Sequence, residues 1–99
     1  MSGQTDLRRS ARRRIKARAL VFFEASGGAV QMCWGHSRDI SDHGMGLDLS
    51  RSIPRGSYVY IRLENPDYST FGIVRHSSAQ GTVGVELRGE EVRNLDRNA

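Results

Sequence analysis

The chain has a single cysteine, Cys33, two prolines, and one lysine among fifteen basic residues. One cysteine excludes an internal disulfide and a multi-cysteine zinc cluster. The three histidines, His36, His43 and His76, are not at metal-ligand spacing, so no metal site is expected. No apolar run approaches the ~20 residues of a membrane-spanning helix, and no membrane insertion is expected. The basic N-terminus is not followed by the apolar stretch of roughly 7–15 residues that marks a secretory signal, so a cytoplasmic location is expected. There is no Walker-type phosphate loop and no nucleophile–base–orienter set, which argues against an enzyme. Internal repeats and long low-complexity stretches are also lacking.

What is present is unevenly charged. Residues 1–18 carry seven basic side chains and one acid, Asp6, while the remainder carries eight arginines against ten acids. The net charge of +4 is therefore an N-terminal property, and the body is not a general basic surface. Fourteen of the fifteen basic residues are arginine, whose planar fork grips phosphate or a guanine edge and stacks on a base.

A length of 99 residues predicts one domain with a modest core. Residues 1–18 read as a flexible basic segment and 19–99 as the folded domain. Six strands are predicted: 19–23, 29–37, 45–49, 57–63, 70–76 and 82–87. They are divided by turn signals at Ser26-Gly27-Gly28, Asp39 to Gly44, Pro54-Arg55-Gly56, Asn65-Pro66-Asp67 and Ser77 to Gly81. Trp34 reads as core or partly buried. Val92 and Leu95, three apart, allow at most a short C-terminal helix. Short strands with a turn every 8–12 residues or so indicate an antiparallel sandwich or small barrel, and a barrel leaves no exposed edge.

Two motifs carry chemistry. Arg8-Arg9-Ser10-Ala11-Arg12-Arg13-Arg14 places arginines four apart; guanidinium groups cannot be buried unpaired, so they stay solvated or meet an anion. Alone, the segment reads as a solvated basic arm. Asp39-Ile40-Ser41-Asp42-His43-Gly44 has the form D-x-S-x-x-G. Alone, its Asp and Ser read as caps on neighbouring backbone N–H groups and its Gly as a source of positive φ. Together the two offer forks for phosphate and for guanine O6/N7, a planar cation to stack on a base, and a carboxylate for the guanine N–H edge.

In this order the motifs resemble those of the PilZ family, receptors for cyclic di-GMP: R-x-x-x-R on an N-terminal segment, then (D/N)-x-S-x-x-G at a strand-to-strand turn. The second matches at Asp39, Ser41 and Gly44. The first has three registers, Arg8/Arg12, which is preferred, then Arg9/Arg13 and Arg14/Arg18. Relatives usually show an apolar residue directly after the second arginine, whereas here Arg13 follows Arg12 and Arg14 follows Arg13. The resemblance spans residues 8 to about 87. It implies an all-β, six-stranded antiparallel barrel and a non-catalytic receptor that needs no cofactor. Arg8, Arg9, Arg12 and Arg13 would grip phosphates and guanines, Asp39 would accept from guanine, Ser41 would bond the ligand or brace the turn, and Gly44 would allow close approach. It further implies signalling by ordering of the N-terminal segment toward an unidentified downstream protein, in motility or biofilm control. The alternatives are a small β-barrel nucleic-acid binder with a basic arm, which would need exposed aromatics, and a PilZ domain that only contacts proteins. Only seven aromatics exist, and several read as core.

Overall fold

A computed structural model describes residues 13–65 and 67–88. The strands are β1 (Arg18–Glu24), β2 (Val30–Ile40), β3 (Gly44–Leu49), β4 (Tyr58–Glu64), β5 (Tyr68–Ser77) and β6 (Thr82–Leu87). A single 3-10 turn, Ser26–Gly28, joins β1 to β2. The predicted C-terminal turn of helix falls on 89–99, outside the described residues.

All pairings are antiparallel, in the order β1-β2-β3-β6-β5-β4, and β1 also pairs with β4, which closes the barrel. Two three-strand meanders are joined by the β3–β4 connection. Because β3 and β4 are not neighbours, that connection crosses one end of the barrel, and its Ile53 is fully buried there. The expected six-stranded antiparallel barrel is the observed fold. Among the described residues, no helix is long and apolar enough to cross a membrane.

Alternation of side chains drives the core. In β4, Val59, Ile61 and Leu63 point inward while Tyr58, Tyr60 and Arg62 point outward. In β1 the inward set is Ala19, Val21 and Phe23. The interior is aliphatic, with Met45, Leu47, Ile61, Leu63, Val74 and Val83 almost wholly buried.

Two sequence expectations fail for one reason. Trp34 is 44% exposed on the outer face, and of the seven aromatics only Phe23 belongs to the core. The inward positions of β2 are the small residues Cys33, Gly35 and Ser37, which leaves the bulky Met32 and Trp34 outside. Burial raises the pKa of the Cys33 thiol, more than the nearby Arg51 lowers it.

The segment before β1 is held as well. The buried Ser37 hydroxyl accepts from the Ala17 N–H at 3.0 Å and donates to the Ile15 carbonyl, while the Ser37 N–H donates to the Ala17 carbonyl at 2.8 Å. Arg13 and Ile40 exchange both backbone bonds, at 2.8 and 2.9 Å. The strand ladder thus continues past Arg18, so residues 13–17 run along β2.

Ile61→Ala should lower the unfolding free energy by about 2–5 kcal/mol, the cost of a large-to-small change in a packed core. Val30→Ser, on a residue 71% exposed, should change it by no more than about 0.5 kcal/mol. Urea denaturation of both variants checks this ranking.

Candidate functional site

The site is built on an irregularity in β2. The register between β2 and β3 shifts between Ser37 and Asp39, so Arg38 and Asp39 together oppose one stretch of β3. Ser37 stays in the core opposite Leu47, and Asp39 pairs with Gly46 on the outer face. The extra residue turns two polar side chains outward together. Asp39, read as the start of a turn, is therefore a strand residue, and the turn itself shrinks to Ser41-Asp42-His43.

Gly46 makes room for both. A Cβ placed there would lie 2.8 Å from the Arg38 Nη2 and 2.8 Å from the Asp39 Oδ1. Gly46 pairs with Gly84 on β6, and a Cβ on Gly84 would lie 3.2 Å from the His76 Cδ2. Beyond His76, β5 has its own register shift between Val74 and His76, at Arg75. The result is an outer-face trough with a two-glycine floor. Arg38 and Asp39 wall one side, and His76 leans over the other.

Carboxylates tie the trough at both ends. Asp48 lies 3.6 Å from the Arg38 Nε and 3.6 Å from the His36 Nε2, and accepts from the Thr82 hydroxyl at 3.3 Å. Glu86 accepts from the Arg75 Nε at 2.7 Å, with the Arg88 Nη2 at 3.7 Å. The Arg75 hydrogen bond, aided by its charge, lowers the Glu86 pKa below the usual carboxylate value.

On the N-terminal side the trough opens into a groove of about 450 Å3, lined by Arg14, Lys16, His36, Ser37, Arg38 and Asp39. Alternation explains which arginine reaches it. Arg13 pairs with Ile40, whose side chain packs against the core, and Ile15 packs there too. Arg14 and Lys16 therefore face the opposite way, beside Asp39. Neither makes an ion pair among the described residues.

The predicted residues are now separable. Asp39 stands in the groove. Ser41 braces the turn: its hydroxyl accepts from the Gly44 N–H at 3.1 Å and the His43 N–H at 3.3 Å, and its own N–H donates to the Gly44 carbonyl at 2.8 Å. Gly44 is buried in β3 opposite Glu86 and is not among the positive-φ glycines, so the expected turn conformation does not account for it. Arg13 lies at the barrel rim on the Ile40 side. Arg8, Arg9 and Arg12 lie outside the described residues.

Sequence reasoning does not single out Lys16, Arg38 or Gly46, and it reaches Arg14 only through the least favoured register, Arg14/Arg18. A signal for Arg14 was present: it is the arginine followed directly by an apolar residue, Ile15.

A family model for the PilZ domain matches residues 6–98. The chain belongs to the PilZ domain family. PilZ domains are generally cyclic di-GMP-binding domains without catalytic activity. The match covers both motifs and the whole described barrel of this PilZ domain. Comparison with curated proteins found no matching relative.

The Glu86 shift has a defined pH consequence. A carboxyl whose pKa is lower folded than unfolded adds stability above its unfolded value and loses it as pH falls through the folded value. Below about pH 4, wild type should lose stability faster than Glu86→Gln. Thermal unfolding of the pair between pH 7 and pH 3 reads the difference.

Proposed function

We propose that this PilZ domain is a non-catalytic cytoplasmic receptor for cyclic di-GMP, bound on the outer face of β2 and β3. The observation that carries the reading is the groove in which Arg14 and Lys16, both without ion-pair partners among the described residues, stand with Arg38 around Asp39. Cyclic di-GMP is a dianion carrying two flat guanines. Cations that already have a groove, but no carboxylate of their own, suit its phosphates. Asp39 accepts from the guanine N1–H and N2–H, and the Gly46–Gly84 floor lets a flat base lie close to the sheet. Ser41 holds the turn that fixes Asp39.

The arginines of R-x-x-x-R complete the site from the chain before Arg13. In this reading Arg8 and Arg12 close over the ligand, and Arg9 is the reserve for that role. Arg13, fixed by its backbone to Ile40, contributes least. The signal is the ordering of residues before the Arg13–Ile40 bridge, read by a downstream protein in motility or biofilm control. Because the bridge and the Ser37 bonds anchor residues 13–17, the switch has a defined hinge. The nucleic-acid reading gains exposed rings that the sequence did not promise. Those rings, Trp34 and Tyr58, stand outside the trough, however, and the neighbouring Phe22, Tyr60 and Phe71 rings pack against one another.

Calorimetric titration at about 0.15 M salt should give micromolar or tighter binding, about −8 kcal/mol or more favourable, with cyclic di-GMP and not with GTP or a short oligonucleotide. Arg14→Ala and Asp39→Ala should each weaken it by about 1.5–3 kcal/mol, the range for hydrogen bonds to charged groups. Wild-type affinity in both variants would contradict the site. Salt-sensitive oligonucleotide binding alone would favour the basic-arm reading.

Gly46→Ala offers a separate check. The atoms it would strike are the ends of two flexible side chains, so thermal stability should hold. Displacing Arg38 and Asp39 should still reduce cyclic di-GMP affinity at least tenfold. Equal affinity would remove the trough from the account.

A further inference from the structure

The outer face of β2, β1, β4 and β5 carries a continuous apolar wall that the ligand site does not use. Cross-strand registers place Met32, Phe22, Tyr60 and Phe71 side by side in one row. Their rings touch: Phe22 and Tyr60 have centroids 6.1 Å apart, and Tyr60 and Phe71 meet edge-on at 5.1 Å. Trp34, Leu20 and Arg62 form the next row. Val30 and Tyr58 flank the other side, 71% and 70% exposed. Isolated exposed apolar residues are ordinary, but a contiguous patch on the order of a few hundred Å2 marks a contact surface.

Dimensions and charge narrow the occupant. Four strands spaced by ~4.8 Å give a wall about 14 Å wide, and residues 30 to 34 of β2 span a similar length. A helix with its side chains is ~10–12 Å across, so one helix covers the wall. A stable homodimer through this face would need about 800 Å2 from each copy, more than the wall offers. Two cations are set into the wall. Arg62 is exposed, and the Arg18 guanidinium lies 5.0 Å from the centre of the Trp34 ring rather than on Glu64, its cross-strand neighbour. Neither makes an ion pair among the described residues. The wall's own carboxylates, Glu24 and Glu64, stand at its corners.

We propose that this wall docks one amphipathic helix of a partner protein, with the helix's apolar side on the Trp34–Met32–Phe22–Tyr60 surface and its carboxylates on Arg62 and Arg18. The proposal does not depend on cyclic di-GMP binding. The two surfaces share β2: Arg18 joins them, over Trp34 on one side and opposite His36 of the groove on the other.

Trp34 is the only tryptophan, so its emission reports the wall directly. The full chain, without nucleotide, is titrated with a synthetic amphipathic helix of about 14 residues, ~20 Å long, bearing leucines on one side and glutamates on the flanks. A twin peptide carries lysines in place of the glutamates. The expected result is a saturable blue shift of Trp34 with the glutamate peptide, about tenfold weaker binding of the lysine peptide, and reversal of that preference in Arg62→Glu. Tyr60→Ser should abolish the shift while Arg14→Ala leaves it unchanged. No shift with either peptide, or equal affinity for both, overturns the proposal. A concentration-dependent dimer in sedimentation whose dilution shifts Trp34 to the red overturns it in favour of a second copy. A red shift in the double variant Val92→Ser/Leu95→Ser, with no peptide present, overturns it in favour of this chain's own residues 89–99.

Discussion

Closure of the sheet is the constraint on which the rest of the structure depends. Once β1 pairs with β4, every strand has two neighbours, and no strand can slide by one residue without turning its core side chains to solvent. An extra residue can then be absorbed only as a local offset. The β2 offset at Arg38 and the β5 offset at Arg75 are such points, and both fall on the outer face beside the Gly46–Gly84 pair. The barrel therefore keeps its mainly aliphatic interior packed while projecting paired polar residues from two strands over a floor without side chains. The site's polar residues stand outside the core, so their chemistry does not compromise packing.

The same frame organises the N-terminal segment. Ser37 is one of two buried polar residues in the barrel, and its hydroxyl ties Ala17 and Ile15 to β2. Alternation past that anchor carries Ile15 toward the core and Arg14 toward the groove. A single buried hydroxyl thus helps decide which basic residue faces Asp39. The outer faces divide along β2: its later residues meet the charged groove, and its earlier residues meet the apolar wall.

Much of this was legible in sequence. The period-two runs of 57–63 and 82–87, with glycine- and proline-rich turns between runs, were enough to indicate a small antiparallel barrel, and they sit within a residue of β4 and β6. The D-x-S-x-x-G residues were found, but not their geometry. Composition alone reads Asp39 as a turn, because a strand offset is specified by the pairing partner Gly46 rather than by the local sequence. The aromatic wall was illegible for a related reason. In Ala19 to Phe23 both alternating sets are apolar, so bulk suggests the wrong inward side. Only the small inward residues of β2 settle that Trp34 faces out. The register of the arginine motif stayed open because four basic residues fall within residues 9–14, and only the Arg13–Ile40 bridge separates them by face.

The most direct test of the central claim is a map of backbone amide chemical-shift changes on adding cyclic di-GMP to the isotope-labelled chain. The account predicts that the largest changes fall on residues 8–17, 38–46, His76 and Gly84, while Val30, Met32, Tyr58 and Tyr60 are nearly unmoved. Changes centred on those wall residues, with 38–46 silent, would contradict it.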